Sequence, residues 1–257
     1  MLKARGGSRV LMTRTRGLRT LLMASALVVA GFVVPAQARI IGTDLEVILG
    51  SDTAAALEQK YGVSKDPQSQ QRLEKVGKEM VAVSGRTGLN YHFAVLNMKE
   101  VNALAVPGGW IYATRGLMDQ KLADDELAFV IGHEVAHVAR RHGVKQLEKS
   151  LGVSLGVGLI LDRSGTTQRL VADTLQLLLQ SGYSREHEYD ADKTAVTYAL
   201  ATGHKPEGGV DFLKRLQTLS KHEPSSLERW FATPPPMPQR IARLEEEITA
   251  AEKGRRQ

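Results

Sequence analysis

The residues His133, Glu134 and His137 form the pattern H-E-x-x-H within the stretch DDELAFVIGHEVAHVARRHG. A helix turns by about 100° per residue, so two side chains four positions apart lie on one face, one above the other. Two imidazoles placed in this way can bind one zinc ion at about 2.0–2.1 Å each. Glu134 follows the first histidine directly and can take a proton from water that the metal activates. The pattern therefore predicts a zinc site on a helix, with Glu134 as its general base.

The flanks of this pattern predict a helix from about Asp124 to His142. Acidic residues fill its first turn and basic residues its last turn, which suits the two ends of the helix dipole. Gly143 follows at the expected stop position. Apolar and small residues occupy most of the remaining sides, so the helix should be largely buried. We interpret His142 as a cation at the helix end. Two core histidines bonded only to their neighbours are the structural alternative to a metal site.

A catalytic zinc ion needs a third protein ligand and an open position. The chain has no cysteine, so this ligand must be a histidine or a carboxylate. We choose Glu188, which lies in the stretch SREHEYDAD at the start of a second predicted helix. The competing candidates are Glu186, His187 and Asp190. Asp192 shares a helix face with Glu188, so one carboxylate can bind the metal while the other orients a zinc histidine through its second ring nitrogen.

Two short strands are predicted ahead of the zinc helix, at residues 91–97 and 110–114, by their β-branched and aromatic side chains. Pro107-Gly108-Gly109 predicts a turn before the second strand. Zinc peptidases commonly hold substrate along an exposed sheet edge beside such a helix, although these strands could instead only cover the core. The predicted fold class is α+β, mainly helical, with a small sheet beside the H-E-x-x-H helix.

The first 38 residues have the features of a secretory signal peptide. A basic start precedes an apolar run of about 14 residues, Leu21 to Val34, and Ala36-Gln37-Ala38 supplies a cleavage site. The alternative is an uncleaved N-terminal anchor, although the run is short for a membrane span. We expect a periplasmic protein whose residues 39–257 form a single domain, with no repeat domain following it.

The positive net charge belongs to this N-terminal segment. The 257-residue chain carries 34 basic and 28 acidic residues, and the first 38 residues contain six of the basic ones and no acidic one. The remaining 219 residues are therefore balanced, and nothing in them predicts nucleic-acid binding. Without cysteine the domain has no disulfides, but it is long enough to bury a stable core.

The segment at residues 151–161 is apolar and rich in glycine. Eleven residues cannot span a bilayer as a helix. We interpret the segment as buried and tightly packed. A mobile flap or a peripheral membrane contact is the functional alternative.

These motifs together resemble the M48 family of zinc metallopeptidases, and in particular its exported, periplasmic quality-control members. HEVAH and SREHEYDAD carry the resemblance, with VNALAVPGGWIYATRGLM between Val101 and Met118. The resemblance implies a gluzincin metallopeptidase fold, with His133, His137 and Glu188 as the ligands of one Zn²⁺. The family segment N-A-x-A-x-P-G-G corresponds to candidate substrate-binding residues, which are Asn102, Ala103, Pro107, Gly108 and Gly109.

The implied activity is a zinc-dependent endopeptidase that hydrolyses internal bonds of misfolded or unassembled cell-envelope proteins. The alternative is a zinc-containing assembly factor or holdase for the envelope with little or gated proteolysis, which would not need Glu134. A processing enzyme for prenylated proteins is disfavoured because the chain lacks multiple membrane spans. One departure concerns Pro234, which stands where the family often has a histidine linked to gating.

The sequence does not single out the residue that would stabilise the oxyanion of the reaction. The candidates are His142, Tyr183, Tyr189 and Arg240.

Overall fold

Helix α4 lies at the centre of the fold and carries the H-E-x-x-H pattern. The computed structural model describes residues 41–151, 165–221 and 235–255. In chain order the elements are α1 (Thr43–Tyr61), α2 (Pro67–Ala82), β1 (His92–Leu96), β2 (Ala103–Val106), β3 (Trp110–Thr114), α3 (Arg115–Asp119), α4 (Asp124–Ala139), α5 (His142–Leu151), α6 (Gly165–Gln176), α7 (Arg185–Thr202), α8 (Glu207–Leu219) and α9 (Met237–Arg255). A π-helical turn, Leu177–Ser181, follows α6. Helices α2, α7 and α8 and the sheet pack against α4, which confirms the predicted class: α+β, mainly helical, with a small sheet beside the H-E-x-x-H helix.

The sheet has three strands in the order β1-β3-β2, with β1 parallel and β2 antiparallel to β3. Only β1 and β3 were predicted, because β2 has four residues that are all buried and therefore shows no alternation of polar and apolar side chains. Asn102 fixes the start of β2: its carbonyl accepts from the Thr114 N–H at 3.0 Å, and its N–H donates to the Thr114 hydroxyl at 3.0 Å.

The outer edge of β1 is covered partly by the backbone of residues 62–64, which pairs with Val95 and Asn97, and partly by the side chain of Gln70. The Gln70 amide donates to the Phe93 carbonyl at 2.7 Å and accepts from the Val95 N–H at 3.3 Å. A neighbouring strand would make the same two kinds of hydrogen bond. The other edge of the sheet is β2, which packs beside α4.

Helix α4 is stabilised at its start by Glu126, whose carboxylate accepts from the Ala123 N–H at 2.7 Å and from Arg215 at 2.8 Å. Every residue from Glu126 to Val138 is buried, as the sequence predicts. The predicted end at His142 is wrong. The helix ends at Ala139, and α5 begins at His142 and includes Gly143.

The break between α4 and α5 is made by Arg141 rather than by a glycine. Arg141 has φ 58°, a left-handed conformation that costs an L-residue about 1–2 kcal/mol. Its Nε donates to the buried Glu46 carboxylate of α1 at 2.9 Å. Arg86 bonds to the same carboxylate and donates to the Val138 carbonyl at 2.7 Å, near the end of α4. This charge cluster offsets the cost of the reversal.

Three predictions fall outside the described residues. They concern the signal segment, residues 1–38, the apolar segment from residue 152 onward, and Pro234. Within the described ranges, no helix has both the length and the apolar character that crossing a bilayer requires.

Candidate metal centre

Two helices bring together His133, His137 and Glu188. Their potential ligand atoms all lie within 4.8 Å of one another, and all three residues are buried. The two histidine Nε2 atoms are 2.9 Å apart, and each is 3.6 Å from a Glu188 oxygen. Tetrahedral zinc with bonds of about 2.0–2.1 Å would place its ligand atoms roughly 3.3 Å apart. The donor types and the spacing therefore both fit a zinc ion.

The position at which helix α7 begins determines that Glu188 and Asp192 face α4. Ser184 caps the helix by accepting from the His187 N–H, and α7 therefore begins at Arg185. Residues 188 and 192 then lie one turn apart on the face that packs against α4. Glu188 and Asp192 are both buried, whereas Glu186 is exposed. This packing distinguishes Glu188 from the other candidates, and it brings Asp190 and His187 to His142 instead.

The outer nitrogen of His133 is held by Asp192. His133 Nδ1 lies 2.9 Å from Asp192 Oδ1, so Asp192 is placed to orient this histidine. Arg240 of α9 donates to both oxygens of Asp192, at 2.6 and 2.7 Å, and lies 3.2 Å from Glu188. Among the described residues, Arg240 is the one buried lysine or arginine.

These contacts shift the pKa values of the site. Burial lowers the pKa of His133, but the Asp192 and Glu188 carboxylates raise it to about 9 overall. Burial opposes ionisation of Asp192, yet the Arg240 charge lowers its pKa to about 2. The pKa of Glu188 is also lowered, against the effect of burial, by Arg240 and His133. Both carboxylates are therefore anionic at neutral pH.

The outer nitrogen of His137 is held by another histidine. His137 Nδ1 lies 3.0 Å from His142 Nδ1, and His142 Nε2 lies 3.1 Å from Asp190 Oδ2. Burial and the neighbouring histidines keep the pKa of His137 well below its usual range. Burial lowers the pKa of His142 to about 2. The interpretation of His142 as a cation at a helix end is therefore wrong, because the side chain is buried and neutral.

The remaining predicted residues lie on α4, at the start of β2 and in the turn that follows β2. Glu134 follows His133 on α4 and is 5% exposed. Asn102 and Ala103 lie at the start of β2, and Pro107-Gly108-Gly109 forms the turn that joins β2 to β3. Gly108 has φ 80° and donates to Glu46 at 3.3 Å, which holds this turn against α1.

The four candidates for oxyanion stabilisation have different surroundings. His142 lies behind His137, on the side of the ring away from Glu188, and Tyr189 lies under the Arg243 guanidinium at 4.2 Å. Tyr183 stacks on His137 with ring centroids 3.8 Å apart, and its hydroxyl donates to the Ala105 carbonyl at 3.1 Å. Tyr183 and Arg240 thus both contact proposed zinc ligands.

Comparison with known proteins connects this geometry to a family. A sequence model of "Peptidase family M48" matches residues 67–248. Metalloprotease YcaL of Escherichia coli is 27% identical over 191 residues, 73% of this chain. Mitochondrial metalloendopeptidase OMA1 of Arabidopsis thaliana is 30% identical over 172 residues, 66% of this chain. A beta-barrel assembly-enhancing protease of Yersinia pestis is 25% identical over 203 residues, 75% of this chain.

The relatives differ in how much of their length is matched. The aligned region covers 73% of YcaL, but only 35% of the Arabidopsis protein and 42% of the Yersinia protein. The chain thus spans less than half the length of two of these three relatives.

Proposed function

This chain belongs to peptidase family M48, and on that premise we propose that it is a zinc-dependent endopeptidase. The observation that carries the proposal is the spacing of the His133, His137 and Glu188 ligand atoms, which suits one tetrahedral metal ion. Two histidines and one carboxylate are a donor set of catalytic zinc sites, which keep a fourth position open for the reaction.

The charge of the site also supports a divalent cation. Glu134, Glu188 and Asp192 bring three carboxylates into the protein interior, and Arg240 brings one guanidinium. Buried charges are costly unless they are paired or bind a metal. A divalent cation beside these carboxylates would offset part of that cost.

Bound zinc would supply a Lewis acid that makes water acidic and polarises the scissile carbonyl. In the proposed mechanism Glu134 accepts the proton of the attacking water and later delivers it to the leaving amine, so the peptide bond is hydrolysed with no net gain or loss of protons at Glu134. Asp192 holds the imidazole of His133 in place, and Arg240 in turn holds Asp192.

The proposal extends to the segment with Asn102, Ala103, Pro107, Gly108 and Gly109 as the substrate-binding region. A substrate strand would lie along the outer edge of β2, where main-chain hydrogen bonds give affinity without strong dependence on sequence. The two glycines would act by shaping the turn beside this edge. Tyr183 bonds to Ala105 at the same edge, so substrate pairing at that carbonyl would require the tyrosine to move.

We infer that the substrates are misfolded or unassembled proteins of the cell envelope. This rests on the predicted signal peptide and on a relative named beta-barrel assembly-enhancing protease. An exported protein of this kind would act in the periplasm. Because the chain has no cysteine, its stability there would not depend on disulfides.

The test compares casein cleavage by zinc-loaded wild type and Glu134→Gln at matched zinc content. We expect the variant to bind zinc and to lose cleavage by about 10²–10⁴-fold, because the general base is removed. Glu188→Ala, by contrast, should lose zinc affinity together with cleavage. Equal cleavage by wild type and Glu134→Gln would contradict the mechanism. Bound zinc with no cleavage by either protein would favour the envelope assembly factor or holdase.

A further inference from the structure

His142 contacts the back of one proposed zinc ligand and is not used by the mechanism above. It is the first residue of α5, and the left-handed conformation of Arg141 turns the chain so that its ring lies beside His137. The ring centroids are 5.0 Å apart and nearly perpendicular, at 76°. His142 is only 1% exposed, so its ring nitrogens must find partners within the protein.

The hydrogen bonds of these two rings have one consistent direction when the metal is bound. A histidine that binds metal through Nε2 carries its proton on Nδ1. His137 therefore donates from Nδ1 to His142 Nδ1, across 3.0 Å. His142 then carries its own proton on Nε2 and donates it to Asp190 Oδ2, across 3.1 Å.

From this chain of contacts we propose that His142 is a positioning residue, which holds His137 in its zinc-binding orientation and links it to the Asp190 carboxylate. The inference rests on the proposed zinc site. The two proposed histidine ligands therefore have different hydrogen-bond partners at Nδ1. His133 bonds directly to a carboxylate, Asp192, whereas His137 bonds to a neutral imidazole.

The charge of the site explains why an imidazole is suitable behind His137. A carboxylate there would add a further buried negative charge to those of Glu188 and Asp192, at a large desolvation cost. The imidazole accepts the hydrogen bond from the N–H of His137 without bringing in a charge. The carboxylate that follows, Asp190, has a side chain that is 42% exposed and keeps its hydration.

Two substitutions of His142 separate positioning from packing. His142→Phe keeps a ring that can stack on His187, whose ring centroid lies 4.3 Å away, but it offers His137 no acceptor. His142→Asn loses the ring but places its amide oxygen near the position of Nδ1. Zinc affinity is measured for the full chain by competition with a chromophoric chelator. We expect His142→Phe to raise the dissociation constant about 10–100-fold, and His142→Asn to keep most of the affinity.

A double-mutant cycle of Asp190 and His142 tests whether the two residues act together on zinc affinity. Asp190→Asn changes the side-chain volume little at a position that is 42% exposed, so we expect this variant to fold. It should weaken zinc binding in the wild-type background and have no further effect in His142→Phe, because the two residues act in series. His204→Gln is the control: this histidine also contacts two carboxylates, Asp125 at 3.2 Å and Glu79 at 3.1 Å, but should leave zinc affinity unchanged.

Each result has a definite meaning. The positioning role is overturned if His142→Phe and His142→Asn lose equal zinc affinity, or if His142→Phe keeps the wild-type affinity. Neither outcome contradicts the proposed zinc site itself. Should His142→Phe not fold, Asp190→Asn decides, and an unchanged zinc affinity in that variant overturns the link. A wild-type protein that binds no zinc overturns both this inference and the proposed function.

Discussion

Arg240 and Asp192 are joined by two hydrogen bonds inside the protein, from Nε to Oδ2 at 2.6 Å and from Nη2 to Oδ1 at 2.7 Å. They lie 48 residues apart in the chain, on α9 and α7. Because Asp192 also contacts His133, this pair connects the C-terminal helix of the described residues to the metal centre. A guanidinium is suited to this position since its planar donors match both oxygens of one carboxylate.

Replacing Arg240 should destabilise the zinc-free protein. We expect Arg240→Met to lower the free energy of unfolding by about 3–5 kcal/mol, because Asp192 and Glu188 would remain buried without their cation. Arg240→Lys should recover only part of this, since an ammonium group cannot reproduce both bonds. Urea unfolding measures the difference. The control is Arg243→Ala on the same helix, where an exposed contact with Tyr189 is worth about 0.5–1 kcal/mol. Similar losses in Arg240→Met and Arg243→Ala would contradict the prediction.

Replacing Glu46 should release the cluster at the end of α4. Its carboxylate, 1% exposed, accepts from Arg86 at 2.8 and 2.9 Å and from Arg141 at 2.9 Å. We expect Glu46→Gln to lower the free energy of unfolding by about 3 kcal/mol, because two partly buried guanidinium groups lose their counter-charge. Asp44→Asn, on the exposed side of the same helix, should stay within about 0.5 kcal/mol of wild type. Urea unfolding of the two variants side by side tests this, and equal stabilities would refute it.

Replacing Gly108 should cost more than backbone strain alone. A Cβ atom at this position would lie 2.8 Å from the Val47 Cα and 2.9 Å from the Glu46 carbonyl oxygen. Gly85 has a similar positive φ, 70°, but open space around it, so Gly85→Ala should lose about 1–2 kcal/mol from strain. Gly108→Ala should lose clearly more, measured by thermal unfolding. Equal losses would mean that α1 moves aside without cost.

Buried tyrosines should make the protein sensitive to alkaline pH. Tyr198 donates to the Ser84 carbonyl at 3.1 Å, and burial raises its pKa to about 12. Its contribution to stability is complete below pH 10, where the phenol is neutral in both states, and is lost as the pH rises through 12. We expect a loss of about 2 kcal/mol from this residue by pH 12. Urea unfolding between pH 9 and 12 should show a shallower decline for Tyr198→Phe, and parallel curves would exclude the effect.

The local part of the candidate metal site could be predicted from the sequence. The two histidines and Glu134 lie within five residues, so helical periodicity alone relates them. The third ligand could not be chosen in this way, because Glu186, Glu188 and Asp190 have equally suitable chemistry. The packing of α7 against α4 buries Glu188 beside the histidines, and that packing depends on the whole core rather than on local sequence.

The end of α4 was wrongly predicted for the same kind of reason. Arg140, Arg141 and His142 are typical of a final helical turn, and no glycine or proline interrupts them. The conformation of Arg141 is stabilised by Glu46, which lies 95 residues earlier in the chain. No sequence pattern near His142 contains that contact, so the bond between His142 and His137 could not be anticipated.

The location of Arg240 on α9 also affects when the site can form. Protein synthesis proceeds from the N-terminus, so His133, His137 and Glu188 emerge from the ribosome well before Met237–Arg255. A nascent chain of that length holds the metal-binding groups but lacks the guanidinium that balances them. We expect the site to be fully assembled only after α9 has emerged, because Arg240 pairs with both carboxylates that α7 presents to the histidines.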